Sequence, residues 1–107
     1  MNASALLIVS ADVISGKEDE FNEWYDQHHI PNYSGNLPLV KSVRRFYSRR
    51  SNPQYVAIYE YGSFDELKKS MASEESKLAG EDADKQIGRL VNSFTYNTYS
   101  QIYPKDS

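Results

Sequence analysis

Two histidines stand side by side in the segment Phe21-Asn-Glu-Trp-Tyr-Asp-Gln-His-His-Ile-Pro31, and they are the only histidines in the chain. Imidazole is the side chain whose ordinary titration spans neutral pH, so it can take up and release protons there. His29 is expected in the last turn of a helix, where the negative end of the helix dipole favours the protonated ring. It is therefore the candidate acid–base group; its bland alternative is to cap the helix carbonyls. His28 lies about 100° further round the helix, so the two rings are expected to point apart. Its spacing to Trp24 and Tyr25 puts His28 on the apolar face, as a packing residue or a pocket wall. Trp24 and Tyr25 either wall an aromatic substrate or pack the helix onto a sheet. Arg44 and Arg45 point to opposite faces of a strand, so one of them can reach a cleft and bind a carboxylate or enolate oxygen. Tyr59 completes the candidate binding set. Glu23, Asp26 and His29 are loose helical neighbours that read as surface. Two adjacent histidines without cysteine are a poor ligand set, so no metal is expected.

Composition narrows the chemistry. The chain has no cysteine, which excludes a disulfide framework, a thiolate zinc site, an iron–sulfur cluster and a cysteine nucleophile. It also suits a cytoplasmic location. A net charge of -3 gives no general attraction to nucleic acid or anionic membranes, and Arg49 and Arg50 read as a solvated hairpin tip. No apolar run approaches the roughly 18 residues a membrane span needs. Leu6 to Val13 is short and has no basic stretch before it, so no secretory signal is expected. The 107 residues fit one domain, 1–107.

The elements that must position these residues follow from periodicity. Ala5 to Val13 is short, apolar and β-branched, and reads as a buried central strand. Phe21, Trp24, Tyr25 and His28 fall on one helix face; Ser15 is the expected cap and Pro31 the expected stop. Leu39 to Ser48 and Tyr55 to Tyr61 read as a hairpin turning at Ser51-Asn52-Pro53. Alternation puts Tyr55, Ala57, Tyr59 and Tyr61 on one face. Ser63 and Glu66 form a capping-box start for a helix carrying Leu67 and Met71. Ser73 to Gly88 is charged and reads as a further helix or helical connection with a solvated face. Val91 to Tyr103, rich in Thr and Tyr, reads as a long strand.

The order β-α-β-β-α-β predicts an α+β, ferredoxin-like domain: a four-stranded antiparallel sheet with its helices on one face. The other face would be bare, yet its strands are too aromatic for full solvation. A second copy of the chain is the simplest cover, so a homodimer is expected.

The segment Phe21 to Pro31 resembles the first-helix motif of the dimeric α+β barrel superfamily, and is most similar to the small EthD-like proteins. Leu39-Val-Lys-Ser-Val-Arg-Arg-Phe-Tyr47 and Tyr55-Val-Ala-Ile-Tyr-Glu60 match the later strands, so the resemblance spans roughly residues 5 to 103. His29 falls at the family's histidine position. Asn32 stands where the family often has Asp, and Gln27-His28 where an acidic pair is common. The resemblance implies a small enzyme that needs no bound cofactor and acts on an aromatic or polyketide-like molecule. Its cleft would lie between sheet and helices, with His29 as acid–base group and a Tyr or Arg as oxyanion partner. The alternative it leaves open is a non-catalytic accessory protein that binds a small molecule, or haem through His28 or His29.

Overall fold

The computed structural model describes residues 4–105. In chain order it contains β1 (Ala5–Val13), α1 (Glu18–Trp24), a π-helical turn (Tyr25–His29), α2 (Ile30–Asn32) and a 3-10 turn (Ser34–Asn36). Then come β2 (Ser42–Tyr47), β3 (Tyr55–Tyr61), α3 (Phe64–Met71), α4 (Glu74–Leu90) and β4 (Val91–Ser100). The strands form one antiparallel sheet in the order β2-β3-β1-β4, the ferredoxin-like arrangement that the element order predicts. Among the described residues, no helix is long and apolar enough to cross a membrane.

Period-two alternation sorts the sheet into two faces. Ala5, Leu7 and Val9 pair with Tyr61, Tyr59 and Ala57, and this face carries the core. Phe21, Trp24, Tyr25, Leu67, Ala79 and Ala83 bury against it from the helices. The opposite face carries Leu6 and Ile8 of β1, Val56 and Ile58 of β3, and Tyr99 of β4. The helices do not cover it, and its β1 and β3 residues are only half-buried.

Four local expectations are corrected. Ser15 does not cap α1: Lys17 holds the cap position without a side-chain bond, and Gly16, at φ 90, makes the turn. Pro31 does not stop the helix, which continues to Asn32. A proline ring collides with the carbonyl four residues back in a regular helix, and the wider π turn before Pro31 relieves that collision. β2 starts at Ser42, because Leu39 has φ 69, a left-handed conformation that no strand accommodates. β4 ends at Ser100, three residues short of Tyr103. The charged stretch after Ser73 is a helix of 17 residues, capped by the Ser73 hydroxyl accepting from the Ser76 amide. Ser63 caps α3 in the same way, through the amide of Glu66.

Candidate functional site

The site begins with the aromatic stripe of α1. Phe21, Trp24 and Tyr25 turn inward, and the helix widens into the π turn immediately after Trp24. Such turns add a residue to one rung and change where the following side chains point. Here they bring His29 inside, 4% exposed, with its ring 4.7 Å from that of Trp24 and 5.1 Å from that of Tyr25. Two aromatic neighbours fix the imidazole plane.

One carboxylate then organises the histidines. Asp82, on α4, takes His29 Nδ1 at 2.8 Å on Oδ2, and the Trp24 indole N–H donates to the same oxygen at 3.2 Å. His28 Nε2 reaches the other oxygen, Oδ1, at 3.1 Å. The two histidines therefore meet on a single group. The sequence-based expectation that they point apart assumed a regular α-helix, and the π turn narrows the angle between neighbours. A carboxylate only accepts, so His29 donates from Nδ1. Its Nε2 is then left without a proton or, among the described residues, a hydrogen-bond partner.

Burial pushes the His29 imidazole below its ordinary value of 6.5, although the hydrogen bond and charge of Asp82 pull it upward. This reverses the expectation that the helix end keeps the ring basic. His29 is not at a helix end, and burial outweighs the dipole. Burial alone would raise the Asp82 carboxyl, but the hydrogen bonds and charges of His29 and His28 together hold it below its ordinary 3.8. The pair at neutral pH is thus a carboxylate and a neutral imidazole.

His29 lines a cavity of about 250 Å³ between the sheet and the helices. Asp82 does not line it. Leu7, Val9, Leu37, Met71 and Phe94 make most of its wall apolar. Tyr25, Tyr59 and Ser34 supply hydroxyls. Burial raises Tyr25 well above the ordinary tyrosine value and raises Tyr59 as well, so both stay protonated.

The structure brings His29, Tyr25 and Tyr59 together on this cavity. The other residues singled out from the sequence lie elsewhere. Trp24 is buried behind His29, its indole spent on Asp82. The His28 side chain is 50% exposed, on the outer side of Asp82 and in reach of Asn32. Arg44 lies on the uncovered sheet face, over the Phe46 ring. Arg45 faces the helices but bonds Asp26 and Asn22, and its guanidinium lies 4.6 Å from the centre of the Tyr25 ring. It lines a separate shallow cleft with Tyr47 and Tyr55.

Asp82 and Ser34 are the residues that reading the sequence missed. Asp82 was hidden among charges, yet it shares a buried stripe with Ala79, Ala83 and Leu90, at helical spacing. A lone acid in such a stripe needs a partner, and that was the available signal. Ser34 sits in a short turn with no periodicity to mark it.

No family model matches the chain, and no curated protein matches it. Solved structures do. An EthD family protein from Bacillus halodurans c-125 superposes with TM-score 0.72 at 19% identity, covering 94% of this chain and 99% of that one. An antibiotic biosynthesis monooxygenase-like protein from Nitrosomonas europaea gives 0.65 at 15% identity, covering 99% and 97%. A dimeric protein of unknown function and ferredoxin-like fold from Bacteroides fragilis NCTC 9343 gives 0.59 at 12%, covering 92% and 96%. The chain shares the ferredoxin-like α+β fold of these proteins over nearly its whole length.

Proposed function

We propose that this chain binds a small aromatic or polyketide-like molecule in the sheet–helix cavity and moves a proton on it through His29, without a bound cofactor. The observation that carries the reading is that His29 lines a largely apolar cavity while its Nδ1 is held by Asp82, which leaves Nε2 as its free nitrogen. Nε2 takes a proton from an acidic O–H or C–H of the ligand. The imidazolium that forms keeps its Nδ1–H bond to the Asp82 carboxylate, which stabilises the new charge and fixes the tautomer. The proton returns to the ligand at the end of the cycle, or passes to solvent. The mostly apolar wall suits a ring system. The EthD and monooxygenase-like neighbours support a ligand-handling role on this fold, though a fold hosts many chemistries.

The acting species is a homodimer in the cytoplasm. The uncovered sheet face, with Leu6, Ile8, Val56 and Ile58 half-buried at its centre, supports the dimer. A dimeric neighbour of the same fold is consistent with it. The cysteine-free composition suits a reducing compartment.

The test is turnover of ring-containing hydroxy and keto compounds, followed by product analysis. His29→Ala should lower turnover by about a hundredfold or more while the far-ultraviolet spectrum stays unchanged. Unchanged turnover would reject His29 as the acid–base group. An imidazole backed by a carboxylate on Nδ1 is also the chemistry of an axial haem ligand, but a cavity of about 250 Å³ is too small to enclose the macrocycle, which would have to lie largely outside it. A visible absorption band on haem titration, lost in His29→Ala, would put that reading first.

A further inference from the structure

The cavity carries a second polar device, a row of three hydroxyls. Tyr25 and Tyr59 stand hydroxyl to hydroxyl at 2.9 Å, and Tyr59 donates to the Ser34 hydroxyl at 2.8 Å. A phenol has one proton. Tyr59 spends its own on Ser34, so Tyr25 must be the donor to Tyr59. The chain of bonds is therefore directional: Tyr25 to Tyr59 to Ser34. It ends on the serine proton, for which no acceptor exists among the described residues. Ser34 is 3% exposed and lines the cavity, so that proton is available only to what occupies the cavity. Hydrogen bonds in series polarise one another, which strengthens the donor at the end of the row.

The turn that presents Ser34 is built for the purpose. Gly35 packs against α2 so closely that a Cβ there would lie 2.5 Å from the Ile30 carbonyl oxygen. Only glycine permits this approach, and it fixes the Ser34–Asn36 turn beside the cavity. Tyr25 is held from behind by the Arg45 guanidinium over its ring.

We infer that Ser34 is the specificity-determining donor of the cavity, so that with His29 as acceptor the site selects a ligand that carries both a hydroxyl and a carbonyl oxygen. The inference rests on the proposed role of His29 for the ligand hydroxyl, and on the serine relay for its carbonyl. A fully apolar ligand would leave both groups unpaired in an apolar wall, and a carboxylate ligand would face the lone pair of His29. The matching compound is neutral, with one or two fused rings, since a cavity near 250 Å³ lies at or below the usual small-molecule range.

The test is calorimetric titration of the full chain with three bicyclic probes. The first is a hydroxytetralone, which carries both a hydroxyl and a carbonyl. The second is the tetralone that lacks the hydroxyl, and the third is the tetrahydronaphthol that lacks the carbonyl. The hydroxytetralone should bind tightest. Ser34→Ala should weaken both carbonyl-bearing probes about tenfold and leave the tetrahydronaphthol within about twofold. Ser34→Cys, close in size with a weak donor, should repeat the selective loss and guards against a folding defect in the alanine variant. Equal weakening of all three probes, or no weakening of the carbonyl-bearing pair, overturns the inference. So does failure of every probe to bind the wild-type chain. That last result leaves the His29–Asp82 pair to be judged separately, by imidazole titration without ligand.

Discussion

His29 Nδ1 lies 2.8 Å from Oδ2 of Asp82, across 53 residues of chain. The contact ties the π turn after α1 to the middle of α4, and the whole site depends on it. Asp82 fixes the tautomer of His29, stabilises the imidazolium if a proton arrives, and holds the Trp24 indole behind the ring. An isosteric amide should therefore do two measurable things. Asp82→Asn should lower the urea-unfolding free energy by about 2 to 3 kcal/mol, because buried donors lose a charged acceptor. It should also lower the His29 titration point further, since the bond and charge of Asp82 both raise it. A variant as stable as wild type, with His29 titrating unchanged, would contradict the arrangement.

Stability should fall on the acid side in two stages. The folded chain holds the His29 imidazole below 6.5, so between the two values the unfolded chain binds the extra proton. The contribution is complete above 6.5 and is lost as pH falls through the lower folded value. Asp82 is also held below its ordinary 3.8, so its share is present above 3.8 and is lost as pH falls through its folded value. Urea midpoints measured from about pH 8 down to about pH 3 should show both declines. The lower decline should shrink in Asp82→Asn. A midpoint that rises between neutrality and pH 5 would give the imidazole shift the wrong sign.

Gly35→Ala should cost about 1 to 3 kcal/mol, because the new Cβ meets a backbone oxygen rather than a flexible side chain. The strain should move the Ser34 turn away from the cavity. Amide chemical-shift changes confined to residues near Ser34 and Ile30, with a lower melting temperature, are the expected result. Gly80→Ala, where a Cβ meets nothing within 4 Å, is the matched control and should be neutral or slightly stabilising.

Much of the fold was legible because strands and amphipathic helices write their period into the chain. β1 and β3 have the expected bounds, and the tyrosine face of β3 is buried at Tyr59 and Tyr61. What escaped was set by contacts distant in sequence or by local strain. No periodicity announces a π turn, so the joint use of His28 and His29 could not be read. Asp82 reads as one acid among many until α4 is laid against the π turn. Arg45 looked free to enter a cleft, but Asp26 on the π turn and Asn22 on α1 take its guanidinium first. Leu39 begins a β-rich run that looks like a strand, and its φ of 69 excludes it.

The proposed dimer has a test that leaves the cavity alone. Ile58 pairs with Ile8 at the centre of the uncovered sheet face, away from His29. Sedimentation of the wild-type chain should give about twice 12.3 kDa at micromolar concentration. Ile58→Lys should give a single-chain mass with the secondary structure retained, since it would put an unpaired charge at the apolar centre of the proposed interface. A wild-type chain that sediments as a monomer, or a dimer unmoved by Ile58→Lys, would place the interface elsewhere or remove it.

The account turns on one atom, the Nε2 of His29, being free and facing the cavity. Nitrogen-detected magnetic resonance of labelled imidazoles, with and without the hydroxytetralone, reads that atom directly. At pH 7 the account predicts a neutral His29 with its proton on Nδ1, and a hydrogen-bond shift at Nε2 when the ligand is added. In Asp82→Asn the Nδ1–H preference should weaken. A His29 protonated at pH 7, a proton on Nε2 in the free protein, or an Nε2 signal indifferent to ligand would contradict it.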